Sequence, residues 1–200
     1  YEISACLVGS EMCIRDSIYS APNSRVQASE WLYNHLPAGS TVTYEVWDDP
    51  LPIQVPPAYT RAGVAYTAAG HPIHPSEYGQ IGLNLYDQDT AAKAQQLAQS
   101  LAMANAVVVN SQRLLLSIPK LPDRYPMTIR YYQLLFAGKL GFHLAYHIET
   151  HPNLFGISLN ETGADESFSV YDHPPVWIFL RTGPGLTANQ IDTLLTQGLS

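Results

Sequence analysis

The apolar positions of this chain change period several times, and each change marks an element. From Ser24 to Leu36 the residues Val26, Leu32, Tyr33 and Leu36 recur at helical spacing. Ser24 followed by Gln27 has the form of a capping box, and Pro37-Ala38-Gly39 stops the run, so an amphipathic helix is expected. Thr41 to Trp47 then alternates and is rich in β-branched and aromatic residues, which predicts a strand. Asp48 to Tyr78 follows neither period. It carries six prolines, Pro50, Pro52, Pro56, Pro57, Pro72 and Pro75. Proline fixes φ and removes a backbone donor, so a long irregular excursion is expected there. In compact domains such excursions tend to be functional or disordered.

Regularity returns at Gln80. Ile81 to Tyr86 predicts a short strand, and Asp89 or Thr90 would cap a helix whose stripe is Ala94, Leu97, Ala98, Leu101 and Ala102. Ala106 to Val109 is a continuous apolar run, the kind buried on both faces of a parallel sheet. Pro119 and Pro122 punctuate a loop. Pro126 suits the first turn of a helix that runs to Phe136 and closes at Gly138. Phe142 to Ile148, Phe155 to Leu159 and Val176 to Leu180 predict three further strands, and Leu186 to Leu195 a last helix capped near Thr187. Strands alternating with helices indicate an α/β fold: one layered domain over residues 18–200 with a mostly parallel sheet and an antiparallel edge.

Residues 1–17 stand apart. They resemble translated sequencing-adapter read-through and lack the basic start and unbroken apolar run of a signal peptide. Setting them aside removes both cysteines, Cys6 and Cys13. The body then has no disulfide framework, zinc-thiolate site or cysteine nucleophile. The chain starts without Met and stops at Leu199-Ser200, so a fragment of a longer protein is expected. Charged residues make up only 14% of the chain and the net charge is -7. Ten scattered basic residues on an acidic chain argue against a nucleic-acid partner, which needs clustered Lys and Arg. No apolar run approaches the ~18–20 residues that cross a bilayer.

Three groups of residues could carry chemistry. Glu45, Asp48 and Asp49 fall at the carboxyl end of the first predicted strand, where open α/β sheets bind ligands. Carboxylates there could hold a cation, contact sugar hydroxyls or keep a proton through a raised pKa, and Asp48-Asp49 could equally be a solvated turn before Pro50. Glu166 with Asp172 and His173 is acid–base equipment, or a structural lock before the last strand; no serine occupies a nucleophile elbow, which leaves a hydrolase without its nucleophile. His71 and His74 are too few for a zinc site, and His143 and His147 are expected on one strand face. Glycines 138 and 141 follow a helix, not a strand, so no dinucleotide cradle exists. The thirteen tyrosines suit a core, an interface or a carbohydrate-contacting surface. No metal or other cofactor is expected, and Glu45, Asp48, Asp49, Asp172 and His173 are the candidate substrate-binding residues.

A resemblance joins these segments. Ser24 to Val42 followed by Glu45 to Pro52, then Arg113 to Phe142, then Glu166 to Phe179, are similar to the soluble part of the "YYY" multi-spanning membrane proteins, which group with lipid-linked-sugar glycosyltransferases of the C-type fold. The similarity spans residues 24 to 182. It implies an extracytoplasmic accessory domain of a polyprenyl-phosphate-sugar-dependent enzyme. Its partner would be the membrane-embedded portion of the same parent chain, with a glycan or lipid-linked sugar as a further contact. The family's catalytic carboxylate lies in a membrane-proximal loop outside this sequence, so no catalytic residue carries over. The alternative is a free-standing carbohydrate- or cation-binding module.

Overall fold

The computed structural model describes residues 23–149, 153–154, 157–158 and 174–198. Its main sheet has five strands in the order β4-β1-β5-β9-β6, where β1 is Thr41–Glu45, β4 Gly79–Leu83, β5 Ala106–Val109, β6 Phe142–Ile148 and β9 Val176–Arg181. The remaining strands form two small hairpins: β2 (Tyr59–Arg61) with β3 (Val64–Tyr66), and β7 (Asn153–Leu154) with β8 (Ile157–Ser158). The described helices are α1 (Ser24–His35), α2 (Ala91–Met103), α3 (Arg113–Ser117), α4 (Pro126–Phe136) and α5 (Ala188–Thr196). The fold is α/β in one layered domain. β4, β1 and β5 run parallel, whereas β9 pairs antiparallel with both β5 and β6.

β5 shows why the layers form. Its four residues are at most 1% exposed. Because side chains alternate along a strand, Val107 and Val109 enter one core while Ala106 and Val108 enter the other. The first core is roofed by α2, α4 and α5 through Leu97, Leu101, Tyr131, Leu135, Ile191 and Leu195. The second is covered by α1 and by the proline-rich segment. The expectation of a strand buried on both faces holds, but only one of its two neighbours is parallel.

Residues 48–78 are largely irregular, yet Leu51, Val55, Ile73 and Tyr78 are buried in the second core. Backbone groups taken from water need partners, and α1 supplies them. Ile53 donates its N–H to Ser29 Oγ at 3.0 Å and accepts from Tyr33 Oη at 2.9 Å, and Tyr78 Oη donates to the Leu36 carbonyl at 2.9 Å. The buried stripe of α1 therefore includes Ser24 and Ser29 among its apolar residues. Ser24 is not the predicted cap. Asn23 caps α1, its side chain accepting from Arg25 N–H, while buried Ser24 donates to the Pro174 carbonyl at 2.6 Å.

Two cationic clamps fix the helices. Lys93, 9% exposed, donates from Nζ to the carbonyls of Leu85 and Asp87, to Asp89 Oδ1 at 2.8 Å and to Thr128 Oγ1 at 2.7 Å. The other Asp89 oxygen accepts the backbone N–H groups of Met127 and Thr128, so Asp89 serves the amino end of α4 while Thr90 caps α2. Burial pushes the Asp89 pKa up, but the hydrogen bonds from Lys93 and Thr128 outweigh it and hold the carboxyl below its ordinary value. Arg181 donates to the carbonyls of Leu101, Ala102 and Ala104 at the carboxyl end of α2, where the helix dipole favours a cation. A side chain at Gly185, which sits at φ +73, would strike that guanidinium. At the end of α4, Gly138 at φ +69 completes a Schellman turn, with Lys139 N–H bonded to Leu134 O and Gly138 N–H to Leu135 O.

Removing one partner of a buried pair leaves an uncompensated charge. Asp89→Ala is expected to lower unfolding stability by about 3–5 kcal/mol, and Asp89→Ala with Lys93→Met to recover much of that. Urea unfolding of the two variants checks this: a double variant no more stable than the single one would assign the loss to the cap rather than to the stranded lysine.

Candidate functional site

From β1 the chain passes to β4 on one side of the sheet and returns through α2 to β5 on the other. Strand order therefore reverses about β1, and ligands of open α/β sheets bind beyond the carboxyl ends of strands at such a point. Polar side chains gather there. Glu45 is the last residue of β1, Asp48 lies in the turn after it, and Asn110 and Ser111 follow β5 directly.

Glu45 shares its strand face with Thr43, is 1% exposed and accepts a 2.6 Å hydrogen bond on Oε1 from Tyr132 Oη. Its Oε2 has no hydrogen-bond partner among the described residues. Burial pushes its pKa from 4.5 up to about 8; the Tyr132 hydrogen bond opposes this and the charge of Asp48 adds to it. Glu45 is thus a carboxylic acid at neutral pH. Burial, together with Glu45, holds the phenols of Tyr131 and Tyr132 well above their ordinary range.

Asp48 is buried too, but it is paired. Oδ2 accepts from Ser111 Oγ at 2.6 Å, and Oδ1 lies 3.7 Å from Arg25 Nη2 of α1. Asp49 behaves differently: its side chain is 75% exposed, 3.7 Å from Arg25 Nη1, and its carbonyl accepts from Asn110 Nδ2 at 2.5 Å. Two carboxylates are therefore buried with different partners, and the third faces water. Trp47 between them is 59% exposed, its ring edge-on to Tyr86 at 6.1 Å.

The structure thus brings Glu45 and Asp48 to the carboxyl edge and leaves Asp49 at its rim. Asp172, His173 and Glu166 lie outside the described residues, as does most of the strand expected at Phe155 to Leu159. Among the described residues, no group of three or more His, Cys, Asp or Glu side chains could hold a metal ion. His143 and His147 do not share a face. A register shift between Leu144 and Tyr146 puts Phe142 in the first core and Tyr146 against the second. His143 then meets Thr182, and His147 stacks on Trp177 from the other side. Residue reading missed Arg25, Asn110, Ser111 and Tyr132. An Asn-Ser pair directly after a fully apolar strand was the available signal for two of them; nothing local marks Tyr132 or Arg25.

A group whose folded pKa is raised binds more protons folded than unfolded, so Glu45 stabilises the fold fully below about pH 4.5 and that contribution is lost as pH rises towards about 8. Glu45→Gln keeps a neutral side chain at every pH. Its melting temperature relative to the unaltered chain is expected to rise steadily from pH 5 to pH 8, then level off. Melting curves across that range check it; a constant difference would mean that Glu45 titrates normally.

Comparison with protein-family models, with curated proteins and with solved structures gives no match to this chain.

Proposed function

We propose that this chain is the accessory extracytoplasmic domain of a polytopic membrane protein resembling the polyprenyl-phosphate-sugar-dependent glycosyltransferases. It is not catalytic by itself, its partner is the membrane-embedded portion of the same parent chain, and it sits on the extracytoplasmic face of the membrane. The observation that carries this reading is that three of the segments bearing the family resemblance meet at the carboxyl-edge cluster, alongside Asn110 and Ser111. Arg25 from the first faces Asp48 and Asp49 from the second, and Glu45 from the second accepts from Tyr132 of the third.

The state of the carboxylates supports a non-catalytic role. A general base or nucleophile must reach a substrate atom, whereas Glu45 is buried under Tyr132 and Asp48 is committed to Ser111 and Arg25. No described histidine is hydrogen-bonded to a described serine: His35 bonds the Trp31 carbonyl and His143 bonds Thr182. Among the described residues no helix is long and apolar enough to cross a membrane, so in this reading the spans belong to other parts of the parent.

The native reading frame tests the proposal. Upstream of Ser24 it is expected to encode several apolar helices of about 20 residues each. A frame that opens shortly before Ser24, with no such helix on either side of this domain, would remove the reading.

A further inference from the structure

A cleft lies between the turn that follows β4 and one face of α2; it shares no lining residue with the Glu45–Asp48 cluster, although Leu83 at its base pairs with Glu45 in the sheet. The cleft encloses about 200 Å³, room for roughly six or seven waters at their liquid volume. Ala92, Gln96 and Ser100 are spaced by four, which stacks them on one side of α2, and the opposite wall is the turn bearing Asn84, Asp87 and Gln88. The side chains of Asn84, Asp87, Gln88, Gln96 and Ser100 make no hydrogen bond to any described residue, so donors and acceptors on both walls are uncommitted. Leu83 and Leu97 lie beneath the cleft, buried in the first core.

The lining selects the ligand class. An anion needs a free cation, and the one cation present, Lys93, is already spent on four oxygens. A metal ion needs several hard ligands, and Asp87 is the only carboxylate in the lining. A purely apolar ligand would strand the amides of Asn84, Gln88 and Gln96 without partners. What remains is a neutral molecule with many hydroxyls. The amides of Asn84, Gln88 and Gln96 can donate to and accept from adjacent hydroxyls, and the Asp87 carboxylate can accept from them. We propose that this cleft binds one neutral sugar residue.

The site does not rest on the membrane reading, since a free-standing domain would carry it equally. The lysine clamp builds it: Lys93 holds the carbonyls of Leu85 and Asp87 against α2 and so sets the width of the cleft.

The test is a residue-resolved NMR titration of the 200-residue chain with the methyl glycosides of mannose, glucose, galactose and N-acetylglucosamine, alongside inorganic phosphate and calcium chloride. At least one glycoside is expected to give saturable shifts confined to residues 82–100. Asn84→Ala with Gln96→Ala, both exposed positions, is expected to weaken that binding about tenfold or more through the lost hydrogen bonds while leaving the melting temperature unchanged. The proposal is overturned if no glycoside gives saturable shifts, if the double variant binds as well as the unaltered chain, or if phosphate or calcium titrates these residues in place of the sugars.

Discussion

The carboxyl end of β1 delivers two acidic side chains below the surface within four residues, and the structure around it follows from how each is accommodated. A buried charge is tolerated only when paired and hydrogen-bonded. Asp48 meets this condition through Ser111 at the end of β5 and Arg25 at the start of α1. Glu45 meets it the other way, by taking up a proton beneath Tyr132 of α4. A slip of β1 by one residue would turn Glu45 to the other face, away from Tyr132, and shift Asp48 relative to Ser111. The pairings therefore pin the register of β1 and, through four segments, the relation of both layers to the sheet.

The helix termini obey the same rule with opposite sign. Lys93 and Arg181 carry positive charge into positions rich in carbonyl oxygens, one at the amino end of α2 and one at its carboxyl end. At the carboxyl end the dipole favours the cation directly. At the amino end it does not, and Asp89 is present to balance Lys93 while also serving the first turn of α4. α2 is thus held at both ends, which gives the polar cleft beside β4 one rigid wall.

Much of this architecture was legible in the chain. Periodicity is a local property, so the helices at α2 and α4, the doubly buried β5 and the cap at Thr187 could all be read directly. Misreadings arose where a distant partner outbid a local one. Ser24 has the residues of a capping box around it, but the Pro174 carbonyl, 150 positions away, takes its hydroxyl. The proline-rich stretch is the irregular excursion its prolines predict, but what its pattern did not announce is that four of its apolar residues complete a core because α1 satisfies the backbone that comes with them. One bulge in β6 reverses the facing of its histidines, and no periodic pattern announces it.

The candidate site divides along the same line. Taken alone, the sequence determined that acidic residues stand at the end of a strand entering an α/β sheet, since strand propensity and the turn after Trp47 are encoded within a few residues. Tertiary structure decided that Glu45 is buried beneath Tyr132 with its pKa pushed up, that Asp48 is paired with Ser111 and Arg25, and that Asp49 reaches water. Protonation depends on how much water is displaced and on what replaces it. Here the replacing groups, Tyr132 and Ser111, lie 87 and 63 positions along the chain from the carboxylates they meet.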